Sequence, residues 1–285
     1  MPQQIQYILT HDTVTLASVL TLEKSTARIE IQSLLQKILN VQRVYLLAHP
    51  ERLLSDTELI DYQHLLQRRL SGEPIAYLLG EREFYGLNLK VTPKTLIPRP
   101  DTELLVDLAI KYTPQNDPCD ILDLGTGCGA IALAIAQARP LANVMAVDTS
   151  VEALTVAIEN AHSLEIKNTS FVQSDWFEML GVKKFELIIS NPPYIAMGDP
   201  HLSQGDVRYE PLTALVSGID GLDDIRRIIK HSPSHLLHGG WLILEHGYDQ
   251  ARRVCNILSE AGFDQVFSAC DLAGIERVSG GQFHI

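Results

Sequence analysis

The stretch Ile121-Leu122-Asp123-Leu124-Gly125-Thr126-Gly127-Cys128-Gly129 decides the fold. Its first half is an apolar run of the length of a buried strand. Its second half is a glycine-rich turn, whose missing side chains let backbone approach a ligand closely. Ala130 to Ala138, rich in alanine and isoleucine, predicts a helix, and Val144 to Asp148 predicts the next strand, ending on an acid. The whole is one βαβ unit with an acid about twenty residues past the glycines, as nucleotide-binding units require. Asp148 can accept from both hydroxyls of a ribose.

Downstream the strand–helix alternation continues. A helix over Val151 to Leu164 leads to a strand, Thr169 to Gln173, ending at Ser174-Asp175-Trp176. Strand ends of an open α/β sheet face the ligand crevice. Asp175 there can accept from an adenine amino group, and Trp176 can pack on the adenine. The run Phe185 to Ile189 is a further buried strand. It stops at Ser190-Asn191-Pro192-Pro193-Tyr194, because neither proline can donate to a ladder. In that stiff hook the Asn191 amide oxygen and the Pro192 carbonyl are expected to face outward as acceptors, with the Tyr194 ring beside them. The set suits a planar amide, or an amino-substituted ring, held by its NH2 group.

Residues 195–215 carry few periodic apolar positions and read as a long ordered loop over the site. Then come a helix over Asp223 to Leu237, ended by Gly239-Gly240, a strand Trp241 to His246, a helix Gln250 to Ala261, and strands at Gln265 to Cys270 and Glu276 to Gln282. Glu245 and His246 end a strand but have no nucleophile or metal partner in sequence, so a supporting role is expected.

Upstream the character changes. Residues 73–100 read as a connector, with short strands Glu83 to Gly86 and Leu87 to Val91 and then a stiff lead-in at Pro93, Pro98 and Pro100. Arg99 is expected to be structural, and Asp101 or Thr102 to cap a helix from Glu103 to Tyr112. From Thr13 to about Leu70 the spacing is helical. Ala27, Ile31, Leu34, Leu35 and Ile38 share one face, with Ser25 and Thr26 as caps. A helix over Val41 to Ala48 follows, and Ser55 with Glu58 forms a capping box before a helix reaching Leu70. The expected layout is a helical bundle over 1–72, the connector over 73–100 and a catalytic domain over 101–285. The bundle reads as a stabilising appendage or a platform for a macromolecular partner.

The chain has 285 residues, 46% of them apolar, and a formal net charge of −12. That charge disfavours a broad nucleic-acid footprint. The four cysteines, Cys119, Cys128, Cys255 and Cys270, form no CxxC pair, so no metal site is expected. The start of the chain lacks a signal-peptide pattern and no run is long enough to span a membrane, so a cytoplasmic protein without membrane contact is expected.

Two cofactor readings follow from the glycines. Gly125-x-Gly127-x-x-Ala130 fits a relaxed dinucleotide fingerprint, and Asp123-x-Gly125-x-Gly127-x-Gly129 fits the form seen in S-adenosylmethionine methyltransferases. Together with Asp148, Ser174-Asp175-Trp176 and Asn191-Pro192-Pro193-Tyr194, the second form resembles the glutamine methyltransferases that modify peptide chain release factors. The resemblance extends to Gly72-Glu73-Pro74-Ile75-Ala76-Tyr77, Leu96-Ile97-Pro98-Arg99-Pro100-Asp101-Thr102-Glu103, Gly205-Asp206-Val207-Arg208-Tyr209-Glu210-Pro211, and a tail with Asp271, Gly274 and Arg277. It implies an α/β fold, a seven-stranded Rossmann-like methyltransferase sheet with an N-terminal helical bundle. It implies S-adenosyl-L-methionine as methyl donor and S-adenosyl-L-homocysteine as product. Gly125, Thr126, Gly127, Cys128 and Gly129 would wrap the donor's methionine and ribose, with Asp148 on the ribose and Asp175 and Trp176 at the adenine. Asn191, Pro192, Pro193 and Tyr194 would seat the target glutamine, Asn191 also bordering the donor, and Asn191, Pro192 and Tyr194 would carry catalysis. The partners implied are peptide chain release factors 1 and 2, met by a monomer that binds no nucleic acid directly. The nearest rival is an adenine amino-methyltransferase using the same hook on a flipped base. A dinucleotide oxidoreductase gives no reason for the hook. The tail's own Gly280-Gly281-Gln282 reads as a chance copy of the target triplet rather than a self-substrate.

Overall fold

The computed structural model describes residues 3–284. They form two compact units, one running through Glu81 and joined by Ser203–Tyr209, the other comprising Arg82–Leu202 with the chain from Glu210 onward.

The first unit holds helices α1 (Ile5–Leu20), α2 (Lys24–Leu39), α3 (Arg43–Ala48), α4 (Asp56–Leu70) and α5 (Ile75–Leu79). Ile5, Ile8, Leu16, Ile31, Leu34, Leu35, Leu46 and Tyr62 are fully buried in one apolar cluster. The capping box forms as expected: Glu58 N–H donates to Ser55 Oγ at 3.3 Å, and Ser55 N–H donates to Glu58 Oε2 at 2.8 Å. Three expectations change. The first helix starts at Ile5 rather than near Thr13. Ser25 and Thr26 lie inside α2, whose N-cap is Glu23 without a side-chain cap. The supposed connector contributes α5, started by the preset φ of Pro74 and closed by Gly80. The unit's buried ion pair joins α2 to α4: Arg69 Nε donates to Glu30 Oε2 at 2.7 Å, with side chains 5% and 10% exposed. Arg69 also reaches Asp206 at 3.4 Å, and Tyr209 donates to the Ser71 carbonyl at 2.8 Å, so Ser203–Tyr209 is a working part of this unit.

Strands β1 (Glu81–Phe84), whose first residue ends the first unit, and β2 (Leu87–Lys90) make a hairpin, and helix α6 (Glu103–Tyr112) follows in the second unit. The main sheet then builds by alternation: β3 (Asp120–Leu124), α7 (Ala130–Ala138), β4 (Asn143–Asp148), α8 (Val151–Ser163), β5 (Thr169–Gln173), β6 (Phe185–Ser190), α9 (Asp223–His231), β7 (Leu236–Glu245), α10 (Ala251–Glu260), β8 (Phe263–Cys270) and β9 (Glu276–Phe283). Its seven strands lie in the order β5-β4-β3-β6-β7-β9-β8. Neighbours are parallel up to β7, and β9 runs antiparallel to both β7 and β8. The expected seven-stranded sheet is thus present. Helix α9 is shorter than expected, because Pro233 follows it within a 3-10 turn at Ser232–His235. Gly239 and Gly240 then lie inside β7, at an irregularity in its pairing with β6, instead of ending a helix.

The Gly280-Gly281-Gln282 triplet sits in β9, between two strands. A Cβ at Gly280 would lie 2.7 Å from the Leu242 carbonyl, so only glycine fits, and Gln282 Nε2 donates to the Gly239 carbonyl at 2.8 Å. That glutamine is a structural residue.

Replacing Glu30 by Ala leaves the Arg69 guanidinium buried and partly unpaired, a loss of about 3–5 kcal/mol for such pairs. Hydrogen exchange read by mass spectrometry is expected to quicken in α2 and α4 while β3 and β6 keep their protection. Unchanged exchange in α2 and α4 would contradict the role given to the pair.

Candidate active site

The strand order reverses between β3 and β6, which in open α/β sheets opens a crevice at the carboxyl ends of the strands. Leu124 stands level with Val147 of β4 and Ser190 of β6. Ser190 Oγ donates to the Leu124 carbonyl at 2.7 Å, joining the last residue of β6 to the start of the glycine turn. The N–H groups of Gly125 and Thr126 both donate to the Val147 carbonyl at 2.9 Å, folding the turn back over β4. Gly127 N–H donates to Asp148 Oδ2 and Ser150 N–H to Oδ1, each at 2.9 Å. Asp148 is thereby clamped with lone pairs to spare. Burial raises its pKa and these backbone donors oppose the rise.

The turn rests on α8. Gly129 has φ +87°, and a Cβ there would lie 3.2 Å from the Cβ of Ala157. Asn160 of α8 completes the seat: Nδ2 donates to the carbonyls of Cys128 and Lys90, and Oδ1 accepts from Lys90 N–H, at 2.7–3.0 Å. Thr126 donates to Asp123 Oδ2 at 2.7 Å. Asp123 is fully buried, and burial pushes its carboxyl up to about 7.

A cavity of about 440 Å³ opens on these elements, within the range of small-molecule sites. Gly125, Gly127, Asp148, Trp176, Asn191 and Pro193 line it, faced by Pro93–Leu96 and by Pro211, Thr213 and Ala214. Six of the expected site residues therefore share one wall. Thr126, Cys128 and Gly129 lie outside the lining, with Thr126 and Cys128 buried beneath the turn. Cys128 enters the network through its carbonyl, and burial pushes its thiol up to about 12. Trp176 has φ +50°, rare for a bulky residue, and its ring stands over Gly125, 3.4 Å from where a Cβ would be. Its Nε1–H donates to Asp224 Oδ1 at 3.2 Å. Asp175 lies outside the lining too, and both its oxygens are engaged by Arg227 at 2.8 and 2.9 Å.

The hook is held from behind. Asn191 Nδ2 donates to Thr102 Oγ1 at 3.2 Å. Pro192 is buried, and Tyr194 lies outside the cavity lining; its hydroxyl donates to Glu245 Oε1 at 3.2 Å and its carbonyl accepts from Gln250 Nε2 at 2.9 Å. Burial raises the Tyr194 phenol far above its ordinary value. Burial also pushes Glu245 up to about 7, against the pull of hydrogen bonds from Thr102 and Tyr194. His246 is fully buried between the Gly247 carbonyl and Ser279 Oγ, a supporting position. Arg99 pairs with Glu210 Oε2 at 2.5 Å, and Ile97 N–H donates to Glu210 Oε1 at 3.0 Å. The Glu210 side chain is 0% exposed. The loop does not drift: Ile195 N–H bonds the Leu215 carbonyl at 2.8 Å, and 3-10 turns fill Pro200–Ser203, Gly205–Tyr209 and Leu212–Ala214.

Three residues were not singled out for these roles from sequence: Thr102, Glu210 and Asn160. Asn160 carried a signal, being a polar residue on the otherwise apolar face of α8 set by Ala153, Leu154, Val156, Ala157 and Ala161.

Comparison with known proteins adds the rest. Residues 16–80 match the PrmC N-terminal domain, and residues 102–204 match the Methyltransferase small domain. A release factor glutamine methyltransferase of Aliivibrio fischeri is 49% identical over 266 residues, 93% of this chain and 93% of the relative. One of Vibrio cholerae is 51% identical over 251 residues, 88% of this chain and 87% of the relative. Among solved structures, a methyltransferase from Pyrococcus furiosus matches 78% of this chain and 100% of its own at 20% identity and TM-score 0.54. The hMettl16 catalytic domain matches 82% of this chain and 86% of its own at 15% identity and TM-score 0.57. These two show the fold alone.

The buried Glu245 has a consequence for stability. Between its ordinary 4.5 and about 7 the folded chain keeps a proton that the unfolded chain has released. Its contribution to stability is therefore lost as pH rises through that window. The melting temperature of Glu245→Gln, measured against the native chain from about pH 5 to about pH 8, is expected to gain on it steadily. A pH-independent difference would mean that the carboxyl is ionised throughout.

Proposed function

The chain belongs to the release factor glutamine methyltransferase family, and from that premise we propose that it methylates the side-chain amide nitrogen of the glutamine in the Gly-Gly-Gln motif of peptide chain release factors, using S-adenosyl-L-methionine. The observation that carries the reading is the placement of Asn191 on the same cavity wall as Gly125, Gly127 and Asp148.

The wall suits the donor. Asp148 retains free lone pairs for a ribose diol, the glycines admit its backbone-hugging chain, and Trp176 offers an aromatic surface. When bound, the donor would supply an electrophilic methyl group on a sulfonium, whose methyl–sulfur bond breaks as nitrogen attacks and whose sulfur keeps the bonding pair as a neutral thioether. Asp175 lies outside the cavity with both oxygens engaged by Arg227, so it takes no part in holding the adenine in this reading.

An amide nitrogen is a poor nucleophile, because its lone pair is delocalised into the carbonyl. Positioning and electrostatics must supply the rate. Asn191 Oδ1 and the Pro192 carbonyl each accept one amide N–H of the target, aiming the nitrogen lone pair at the methyl. As the N–C bond forms, the same two acceptors stabilise the positive charge growing on nitrogen. The nitrogen then releases a proton to water. Pro193 walls the amide, and Tyr194 stiffens the hook from beneath. Release factors 1 and 2 are the two substrates in this reading, met in the cytoplasm by a monomer. Among the described residues no helix is long and apolar enough to cross a membrane.

Labelled methyl transfer to each purified release factor is the direct test, with the target Gln→Ala variant expected to take no label. Asn191→Ala is expected to lose about 10²-fold or more in kcat, the scale for removing one oriented group at the reacting centre. Its donor affinity by calorimetry should stay close to that of the native chain. Asp148→Ala is expected to weaken donor affinity about tenfold or more, as lost bonds to a charged acceptor do. Full activity of Asn191→Ala on a release factor would remove the hook from the mechanism.

A further inference from the structure

An asparagine can accept from a substrate amide only if its oxygen faces outward. The two flip states of the side chain have nearly the same shape, so a group behind it must choose between them. The group behind Asn191 is Thr102, 4% exposed, on the 3-10 turn Pro100–Thr102 that leads into α6. Its oxygen lies 3.2 Å from Asn191 Nδ2. A threonine hydroxyl can accept or donate, and donation to Asn191 would turn the amide the wrong way. The choice therefore passes to whatever takes the single hydroxyl proton. Glu245, 2% exposed at the end of β7, is the neighbour whose charged form the Thr102 hydroxyl stabilises. Its Oε1 already accepts from the Tyr194 hydroxyl at 3.2 Å. Its Oε2 is buried without a hydrogen-bond partner among the described residues, an acceptor that the Thr102 hydroxyl can satisfy.

We propose that Glu245 and Thr102 are positioning residues of the methyl-transfer site. Once ionised, the Glu245 carboxyl accepts a hydrogen bond from the Thr102 hydroxyl, the Thr102 oxygen is left to accept from Asn191 Nδ2, and Asn191 Oδ1 is turned toward the target amide. The same buried acid holds Tyr194, so both ends of the hook hang from one carboxylate. Neither positioning residue touches a reacting atom. The inference rests on the reading of Asn191 given above and extends it by two residues.

Steady-state kinetics of the full chain on a purified release factor test it, with Thr102→Val, Thr102→Ala, Thr102→Ser, Asn191→Ala and the Thr102→Val/Asn191→Ala pair. Valine keeps the shape and removes the hydroxyl. It is expected to lower kcat about tenfold or more while KM for the release factor stays within about threefold, a loss confined to the reacting centre. Alanine is expected to follow valine, and serves in its place if valine does not fold. Serine, which keeps the hydroxyl, is expected to return kcat to within about threefold of the native value. The valine change should add nothing in the Asn191→Ala background, because contacting residues that act as a unit are not additive. Donor affinity by calorimetry should change by less than about twofold. Native kinetics of Thr102→Val, an undiminished valine effect in the Asn191→Ala background, or a parallel fall in donor affinity would each overturn the relay. Those results beside an inactive Asn191→Ala would leave the hook reading standing. An active Asn191→Ala would overturn both.

Discussion

The hydroxyl of Ser190, donating to the Leu124 carbonyl at 2.7 Å, ties together the two strand ends on which the site depends. Parallel strands in register deliver Leu124 and Ser190 to the same level, but after that the chains diverge, one into glycines and one into prolines. A buried side-chain bond at the point of divergence fixes where both excursions begin. The Val147 carbonyl does the same on the other side, by accepting from Gly125 and Thr126. The donor-facing turn and the amide-facing hook are thus positioned by β3, β4 and β6, not by the loops themselves. Sites built on regular elements hold their geometry more closely than sites built on loops.

Beneath this wall lie two buried carboxyl groups, each bonded to a hydroxyl that lies behind the lining. Asp123 stands under Thr126, and Glu245 under Tyr194. A hydrophobic residue in either place would cost less to bury. Both acids are instead held at pKa values pushed up to about 7. Such groups fix hydroxyl orientations in a way that apolar packing cannot, and that is a requirement of precision at a reacting centre rather than of folding. Glu210, with its side chain 0% exposed, does the corresponding work for the lead-in, gathering Ile97 and Arg99.

The sheet was legible from the sequence because its signals are local. Apolar runs, a glycine turn and an acid at fixed spacing specify the βαβ unit, and two prolines stop β6 where they stand. Asp148, Trp176 and Asn191 could be placed on the cavity because each ends a strand or follows one within three residues. The rest was less legible for physical reasons that can be named. Thr102 and Glu245 are 143 residues apart in the chain, so no spacing rule connects them. Pro233 lies inside an apparently continuous helical stretch, and only its missing N–H ends α9 where it does. The polar residues of 205–209 read as part of a loop over the site, yet Asp206 and Tyr209 find partners in Arg69 and Ser71, more than 130 positions earlier in the chain.

The position of β9 between β7 and β8 bears on how the chain emerges from the ribosome. Strand β8 is made before β9 but does not touch β7, so it has nothing to pair with when it appears. Until Glu276–Phe283 has been synthesised, the ten-residue strand β7 presents an open edge on one side. Open edges are templates for pairing with other chains. The close fit of Gly280 against the Leu242 carbonyl means that the late strand must also enter in one register. Vectorial synthesis therefore leaves this sheet vulnerable to aggregation during a short window near its completion, and closing that window falls to a strand carrying the same triplet as the proposed target.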